Sequence, residues 1–271
     1  KRSLALDLKT PEGCEIARRL AADCDVIIQN YRVGKIDRFG LDYEAVRQTN
    51  QAVVYLSITG FGATGPRAGL PATDSVMQAY TGLMSINRDA SEMPQRINML
   101  AIDFACGLYA FQAVAAGLYR KAMKGVGKHI QTSLLEASLA YQEAALVESA
   151  LQGDTVEPIG MPVGTFRTGD GYMSINARRQ PQFERFAKLL ERNEWIADSR
   201  FANPRARVEN REVLLALIRP EIESKTTDEW CALLTDIDVL HGPVHTHQDV
   251  FQDDQVKAVS ALRWVDDPVL G

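Results

Sequence analysis

The sequence predicts an α/β protein, with a Rossmann-like parallel sheet in a large first domain and a smaller α+β unit after it. Short apolar runs alternate with helical patterns through the first half, as in a parallel sheet whose crossovers are helices. Later, a Gly-Asp-Gly turn separates two strand-like runs, which indicates a hairpin. We expect a large domain over residues 1–155, a small domain over residues 156–246 and a segment over residues 247–271 that returns toward the large domain.

Apolar spacing and capping residues predict the elements of the first half. Residues 3–8 are strand-like, and residues 10–22 form a helix that Thr10 caps and Pro11 opens. The next predicted elements are strands over residues 25–29 and 52–58, a helix over residues 43–48 between them, a loop over residues 59–71 and a helix over residues 74–83.

The run from Met99 to Tyr119 is apolar or small apart from Asp103 and Gln112. Its length suits a membrane span, but these two side chains and the lack of a second such run favour a buried core helix. We expect this helix to begin at or near Asp103 and to end before Gly125, and we expect no membrane partner. A strand over residues 129–133 and a helix over residues 134–151 follow.

In the second half the predicted elements no longer alternate between strand and helix. Strands over residues 163–167 and 172–175 flank the Gly-Asp-Gly turn. Helical patterns follow over residues 180–192, 207–224 and 227–234, and a Thr-Thr-Asp-Glu cap opens the last of these. A turn over residues 241–243, a short helix over residues 248–256 and a strand over residues 261–265 complete the prediction.

Composition excludes several classes of function. The 271-residue chain has a net charge of −5 and no basic tract, so we expect no nucleic-acid partner. Its four cysteines are scattered without a CxxC pair, which disfavours disulfides and cysteine zinc sites and suits a reducing cytosol. We therefore expect a cytoplasmic protein. The chain opens with Lys1 rather than Met, directly before a strand-like run, so we expect it to be part of a longer protein.

Two further motifs are weaker than they look. Residues 60–65 match G-x-G-x-x-G, but Pro66 follows where a helix must begin, so a dinucleotide site is disfavoured and a loop over a pocket is favoured. His241, His245 and His247 could suggest a metal. Pro243 interrupts any regular spacing between them and no carboxylate pattern accompanies them, so we expect no metal site.

Asp103 is the only charged side chain in its apolar run. Burying one carboxylate unpaired is costly, so its presence needs a reason. It could cap the long helix, or it could be a nucleophile kept partly dry. The two roles are compatible, because a helix N-terminus stabilises a carboxylate and offers N–H groups to a developing oxyanion. The residues alone leave both open.

Several short segments are each too common to identify a family, but their order and spacing along the chain are specific when taken together. They comprise residues 1–3, 6–9, 25–32 with Gly34, 40–41, 57–62 and 65–66, then Asp74 with Gln78 and Gly82, Asp103 with Gly107 and Arg120, and residues 125–127, 136–137, 166–172 and 242–244. Together these segments resemble the class III (CaiB/BaiF-type) CoA-transferase family over nearly the whole chain. The resemblance implies that family's fold and an interlocked homodimer. The family's N-terminal strand–helix unit, which carries further CoA contacts, has no counterpart in this sequence.

The resemblance also implies a reaction. Asp103 matches the family's nucleophile, which would attack an acyl-CoA thioester and then carry CoA as an aspartyl-CoA thioester until a carboxylic acid accepts it. Coenzyme A and acyl-CoA are then substrates, and no metal or permanently bound cofactor is implied. The residues that match the family's CoA contacts are Leu6, Asp7, Leu8, Lys9, Asn30, Tyr31, Arg32, Arg38, Ala72, Thr73 and Asp74.

The family's glycine-rich active-site loop matches residues 160–164, between Gly160 and Gly164. This loop is shorter than in formyl-CoA transferases, which disfavours formyl or oxalate substrates. Two alternatives stay open. A 2-methylacyl-CoA racemase of the same family would need a histidine where Thr73 stands, as its second acid–base group. A catalytically inactive relative that serves as a binding scaffold is the other.

Overall fold

The computed structural model describes residues 2–89, 91–153 and 160–266. Lys1, the predicted domain boundary at residues 155–156 and the end of the predicted return segment lie outside the described residues. The chain divides into two compact units, residues 1–154 and residues 155–271. The return of residues 247–271 toward the first unit stays a prediction.

The first unit contains a parallel three-stranded sheet. Its strands are β1 (Val26–Gln29), β2 (Val54–Thr59) and β3 (Lys128–Ser133), in the spatial order β1-β2-β3. Val54 pairs with Val26 on one side and with Lys128 on the other. The first half of β2 is buried, as expected for a central parallel strand covered on both faces. The prediction of a parallel sheet is confirmed.

Six helices accompany this sheet in the described part of the unit. They are α1 (Pro11–Asp23), α2 (Tyr43–Thr49), α3 (Asp74–Tyr80), α4 (Ala101–Lys124), α5 (Leu134–Tyr141) and α6 (Glu143–Gln152). Thr10 caps α1 by accepting from Gly13 N, as predicted. The helix predicted over residues 134–151 is two helices that meet at Gln142. The Gln142 side chain turns inward there and donates to Thr81 Oγ1 at 3.0 Å.

The strand predicted over residues 3–8 is wrong. This segment pairs with no described strand, and Ser3, Leu4 and Ala5 are exposed. An apolar alternation makes a strand only where a sheet edge supplies hydrogen-bond partners. The segment instead ends in a turn at Leu8 and Lys9, where Asp7 Oδ1 accepts from Lys9 N at 2.9 Å.

Helix α4 covers the sheet with its small residues. A Cβ added at Gly117 would lie 2.8 Å from Val54 Cγ1, so the helix axis approaches β2 closely. The opposite face carries exposed large apolar side chains, namely Phe104, Leu108, Phe111, Tyr119 and Met123. The prediction of a core helix therefore holds for one face and is wrong for the other. Of the described helices, α4 alone is long and apolar enough to cross a membrane, by length and composition only.

The second unit contains an antiparallel sheet. Its strands are β4 (Val163–Arg167), β5 (Tyr172–Asn176) and β6 (Leu240–Pro243), in that spatial order. The hairpin between β4 and β5 is confirmed. The turn predicted over residues 241–243 is wrong, because this segment pairs with β5 through Met173 and Pro243. A proline fits here because it ends a strand at the edge of the sheet.

Seven helices are described in this unit. They are α7 (Gln180–Leu189), α8 (Glu194–Ala197), α9 (Pro204–Glu209), α10 (Arg211–Ile222), α11 (Thr227–Asp236), α12 (His247–Gln252) and α13 (Asp254–Ala258). The cap of α11 is confirmed as a capping box between Thr226 and Glu229. The strand predicted over residues 261–265 is wrong: it pairs with no described strand, and Trp264 meets the ring of Phe251 edge-on.

A buried arginine fixes the core of the second unit. Arg207 is fully buried and stacks its guanidinium over the Phe183 ring at 4.3 Å. It donates to the main-chain oxygens of Met161 at 2.7 Å, Arg178 at 2.9 Å and Phe201 at 3.0 Å. Gln180 Oε1 accepts a fourth hydrogen bond at 2.7 Å. One side chain therefore ties three loops together without a carboxylate in hydrogen-bond contact.

Candidate active site

The parallel strands of the first unit end at a cleft of about 610 Å³. Asn30, Tyr31 and Arg32 follow β1, Thr59 ends β2, and Leu134 follows β3. Ligands of open α/β sheets bind at this edge, beyond the carboxyl ends of the strands. The glycine-rich loop after β2 also lines the cleft, through Gly60, Ala68, Leu70 and Pro71 among others.

A smaller cleft of about 290 Å³ lies at the start of α4. It is lined by Thr73, Asp74, Ser75, Arg96, Asn98, Met99, Leu100 and Asp103. Thr73 and Asp103 line both clefts. Asp103 therefore lies where the two clefts meet.

Asp103 lies in the first turn of α4, three residues after the N-cap. The N-cap is Leu100, whose side chain makes no capping hydrogen bond. The prediction that Asp103 caps α4 is therefore wrong. The residue is exposed rather than enclosed. Partial burial raises the pKa of the Asp103 carboxyl above its ordinary value, and the negative charge of Asp74 raises it further.

Asp74 supplies the missing cap. Its side chain is buried, at 5% exposure. Oδ2 accepts from the backbone N of Ile102 at 2.8 Å and of Asp103 at 3.1 Å. Oδ1 accepts from Gln78 Nε2 at 2.6 Å. Two of the N–H groups at the start of α4 therefore donate to the Asp74 carboxylate and not to that of Asp103.

The predicted CoA-binding residues fall into two groups. Asn30, Tyr31, Arg32, Ala72 and Thr73 line the larger cleft, and Thr73 and Asp74 line the smaller one. The others, Leu6, Asp7, Leu8, Lys9 and Arg38, line neither cleft, and Arg38 lies in a 3₁₀ turn at Ile36–Phe39. Gly160 and Gly164 belong to the second unit, where Gly164 lies in β4. These assignments stay predictions.

Sequence reasoning missed two residues that the structure brings to the clefts. Cys106 follows Asp103 by one helical turn and lines the larger cleft, where burial raises the pKa of its thiol. Arg96 lines the smaller cleft and donates from Nη2 to Asn98 Oδ1 at 3.0 Å. Within the described residues no carboxylate pairs with Arg96. The helical spacing could have revealed Cys106, but nothing local marks Arg96.

Comparison with known proteins decides the family. The sequence model of CoA-transferase family III matches residues 1–271. The chain belongs to CoA-transferase family III. The resemblance inferred from the short segments is thereby confirmed.

Relatives and solved structures of the family agree with this assignment. Over the full chain it is 32% identical to the human protein named succinyl-CoA:glutarate CoA-transferase, and it spans 63% of that relative's length. It is 33% identical to a succinate–glutarate CoA-transferase of Agrobacterium fabrum, over 95% of this chain and 66% of the relative.

A crystal structure of a CaiB/BaiF family protein from Brucella suis matches with a TM-score of 0.85 and 36% identity, over 95% of this chain and 70% of the other. That of Rv3272 from Mycobacterium tuberculosis matches at 0.88 and 28%, over 96% and 71%. The family fold is therefore established for the described parts of this chain.

Proposed function

We propose that the protein transfers CoA from an acyl-CoA thioester to a carboxylic acid, with Asp103 as the nucleophile. The observation that carries this proposal is the position of Asp103: in the described part of the chain it is the one acidic side chain that lines both clefts. Family membership supports the same reaction class. The raised pKa also favours a carboxylate basic enough to attack a thioester.

The reaction divides into four balanced steps. An Asp103 Oδ attacks the acyl-CoA carbonyl and expels the CoA thiolate, which leaves a mixed anhydride. The thiolate then attacks the aspartyl carbonyl, which releases the donor acid and leaves an aspartyl-CoA thioester. The acceptor carboxylate attacks this thioester and expels CoA again. Finally the thiolate attacks the acceptor carbonyl, which frees the Asp103 carboxylate and releases the new acyl-CoA.

CoA enters this scheme as a substrate, without a permanently bound cofactor. We assign the larger cleft to CoA because Asn30, Tyr31 and Arg32 lie at its strand-end side. Arg32 and Arg38 are the proposed phosphate contacts, since an arginine fork matches phosphate oxygens. Leu6, Asp7, Leu8 and Lys9 stay proposed contacts from the resemblance, as do Gly160 and Gly164 in the active-site loop. An interlocked homodimer and a cytoplasmic location are part of the proposal.

We assign the smaller cleft to the acyl group and favour a dicarboxylic acid there. The human and Agrobacterium relatives are named for succinyl or succinate and glutarate, which are diacids. Arg96 supports a similar preference in this chain, because it is a cation without a carboxylate partner among the described residues and lies in the cleft that Asp103 lines. It would pair with the second carboxylate of the substrate.

The experiment is a transfer assay on the full-length protein. Acyl-CoA donors, with succinyl-CoA first, are combined with mono- and dicarboxylic acids, and product thioesters are measured by liquid chromatography. Asp103→Asn keeps the side-chain shape but removes the nucleophile, and we expect it to abolish turnover. Asp23→Asn, at an exposed position that ends α1, is the matched control.

Two results would redirect the proposal. Retained turnover in Asp103→Asn would remove Asp103 from the reaction. Deuterium entering Cα of a 2-methylacyl-CoA from heavy water, without transfer, would favour the racemase. Thr73 supports our choice of a transferase, since it lacks the proton-transfer capacity of a histidine.

A further inference from the structure

Helix α4 begins without a capping side chain of its own. The first N–H groups of a helix have no partner inside the helix, and Leu100 at the N-cap offers no side-chain acceptor. The Asp74 carboxylate reaches across from α3 and accepts from Ile102 N and Asp103 N. The cap of this helix is therefore a tertiary contact, made by a residue 29 positions before the proposed nucleophile.

Gln78 locks this cap in place. Besides donating to Asp74, its amide nitrogen donates to the main-chain oxygens of Ile97 and Met99, both at 3.2 Å. Its amide oxygen accepts from Ile97 N at 2.8 Å. Gln78 is 1% exposed, and its bond to Asp74 is buried, where a hydrogen bond is stronger than in water. The segment that leads into Asp103 is held at both ends by α3.

The cap changes what Asp103 can do. A carboxylate at a helix start is ordinarily stabilised by the unpaired N–H groups and by the positive end of the helix dipole. Asp74 already occupies that position, and no described residue donates a hydrogen bond to the Asp103 carboxylate. A carboxylate stabilised by hydrogen bonds is a weaker base, so the Asp74 cap leaves Asp103 the stronger nucleophile.

We propose that Asp74 is a positioning residue for the nucleophile: it takes the anion position at the start of α4, holds the main chain of Asp103 and leaves the Asp103 carboxylate free to react. This inference rests on the proposed function. It gives Asp74 a role distinct from the CoA contact that the family resemblance assigns to it.

Five titratable or charged groups accompany Asp103 in the clefts. Asp74 comes from α3, Arg96 from the loop before α4, Tyr31 and Arg32 from the segment after β1, and Cys106 from the next turn of α4. Of these groups, Asp74 raises the pKa of Asp103 through its negative charge, in addition to the effect of burial. Removing its charge while keeping its shape therefore isolates its effect.

The test uses two substitutions in the full-length protein. Asp74→Asn keeps one oxygen acceptor for the helix and removes the charge, whereas Asp74→Ala removes both. Asp42→Asn is the matched control, because Asp42 caps α2 by accepting from Ala45 N and lines neither cleft. The pKa of Asp103 is measured by NMR on protein labelled with ¹³C in aspartate carboxyl groups, and the Ile102 and Asp103 amides are followed by hydrogen exchange.

We expect Asp74→Asn to lower the pKa of Asp103 and to move the acidic limb of kcat/KM to lower pH, whereas Asp42→Asn moves neither. In Asp74→Ala the Ile102 and Asp103 amides should exchange about fivefold faster, and kcat should fall on the order of 10²-fold, the effect of a displaced reacting group.

An unchanged or raised Asp103 pKa in Asp74→Asn would overturn the positioning role. Unchanged amide exchange in Asp74→Ala would do the same. These readouts need no turnover, so they decide the role of Asp74 even if the proposed function fails. That function is judged separately, by whether the wild-type protein transfers CoA and loses this activity in Asp103→Asn.

Discussion

Arg96 offers the sharpest test of substrate class. The guanidinium lies in the cleft that Asp103 and Asp74 line, and it donates to the neutral side-chain amide of Asn98. A monocarboxylic acyl group gives Arg96 nothing to bind, whereas the far carboxylate of a succinyl group offers a charged acceptor. We therefore predict that Arg96→Gln weakens the use of succinyl-CoA and leaves the use of butyryl-CoA unchanged.

The magnitude follows from the exposure of Arg96. A hydrogen bond to a charged group contributes about 1.5–3 kcal/mol when it is protected, but an exposed ion pair contributes only about 0.2–1 kcal/mol. Arg96 is exposed in an open cleft, and a bound acyl chain would shield it in part. We take an intermediate value of ~1.4 kcal/mol, which corresponds to about tenfold in KM.

The assay compares KM and kcat for succinyl-CoA and butyryl-CoA with one acceptor acid. These donors share a four-carbon chain and differ in a carboxylate against a methyl group, so only the charge contact differs. Arg96→Lys keeps the charge and should recover part of the loss. An equal loss with butyryl-CoA, or no loss with succinyl-CoA, would refute the assignment of the smaller cleft to a diacid.

Three further predictions concern pH and stability. Because burial and then Asp74 raise the pKa of Asp103, and the carboxylate is the attacking form, kcat/KM should fall as pH drops through that raised pKa; a limb at or below the ordinary aspartate value would contradict this. Arg207→Met should leave the buried main-chain carbonyls of Met161 and Phe201, and the part-buried one of Arg178, without this donor. It should lower the free energy of unfolding in urea by about 3–5 kcal/mol, and a loss under about 1 kcal/mol would contradict it. Gly117→Ala should cost about 1–3 kcal/mol, because its Cβ would meet Val54 at 2.8 Å, whereas Gly107→Ala, with open space around its Cβ, should not destabilise the helix.

Most strands and helices of the first unit could be predicted because each is marked by residues within its own segment. The strands β1 and β2 are short runs rich in apolar residues between helical patterns, and such runs need no distant partner to be recognised. The strand β6 failed as a prediction for the opposite reason. Its residues carry turn signals, and only pairing with β5, more than sixty residues earlier, makes them a strand.

The site was predictable where topology dictates it. Asn30 and Arg32 follow a parallel strand, so their place at the ligand-binding edge follows from the fold class. The role of Asp74 could not be predicted, because α3 and the start of α4 are far apart in sequence and only tertiary packing brings the carboxylate to Ile102 N and Asp103 N. For the same reason no local pattern could indicate that Asp103 does not cap its own helix.

The outer face of α4 shows a second limit of local reasoning. An apolar pattern on all sides predicts burial on all sides, yet Phe104 and Phe111 are about 70% exposed. Five of the six buried residues of α4 are small, with Gly117 among them, and the sixth is Ile102.

The most direct test of the account is to look for CoA on Asp103. Full-length protein is incubated with succinyl-CoA without an acceptor acid, quenched rapidly and digested, and its peptides are measured by mass spectrometry. The account predicts a CoA thioester on the peptide that contains Asp103, released by hydroxylamine and absent from Asp103→Asn. Transfer that proceeds with no adduct, or an adduct on a different residue, would contradict it.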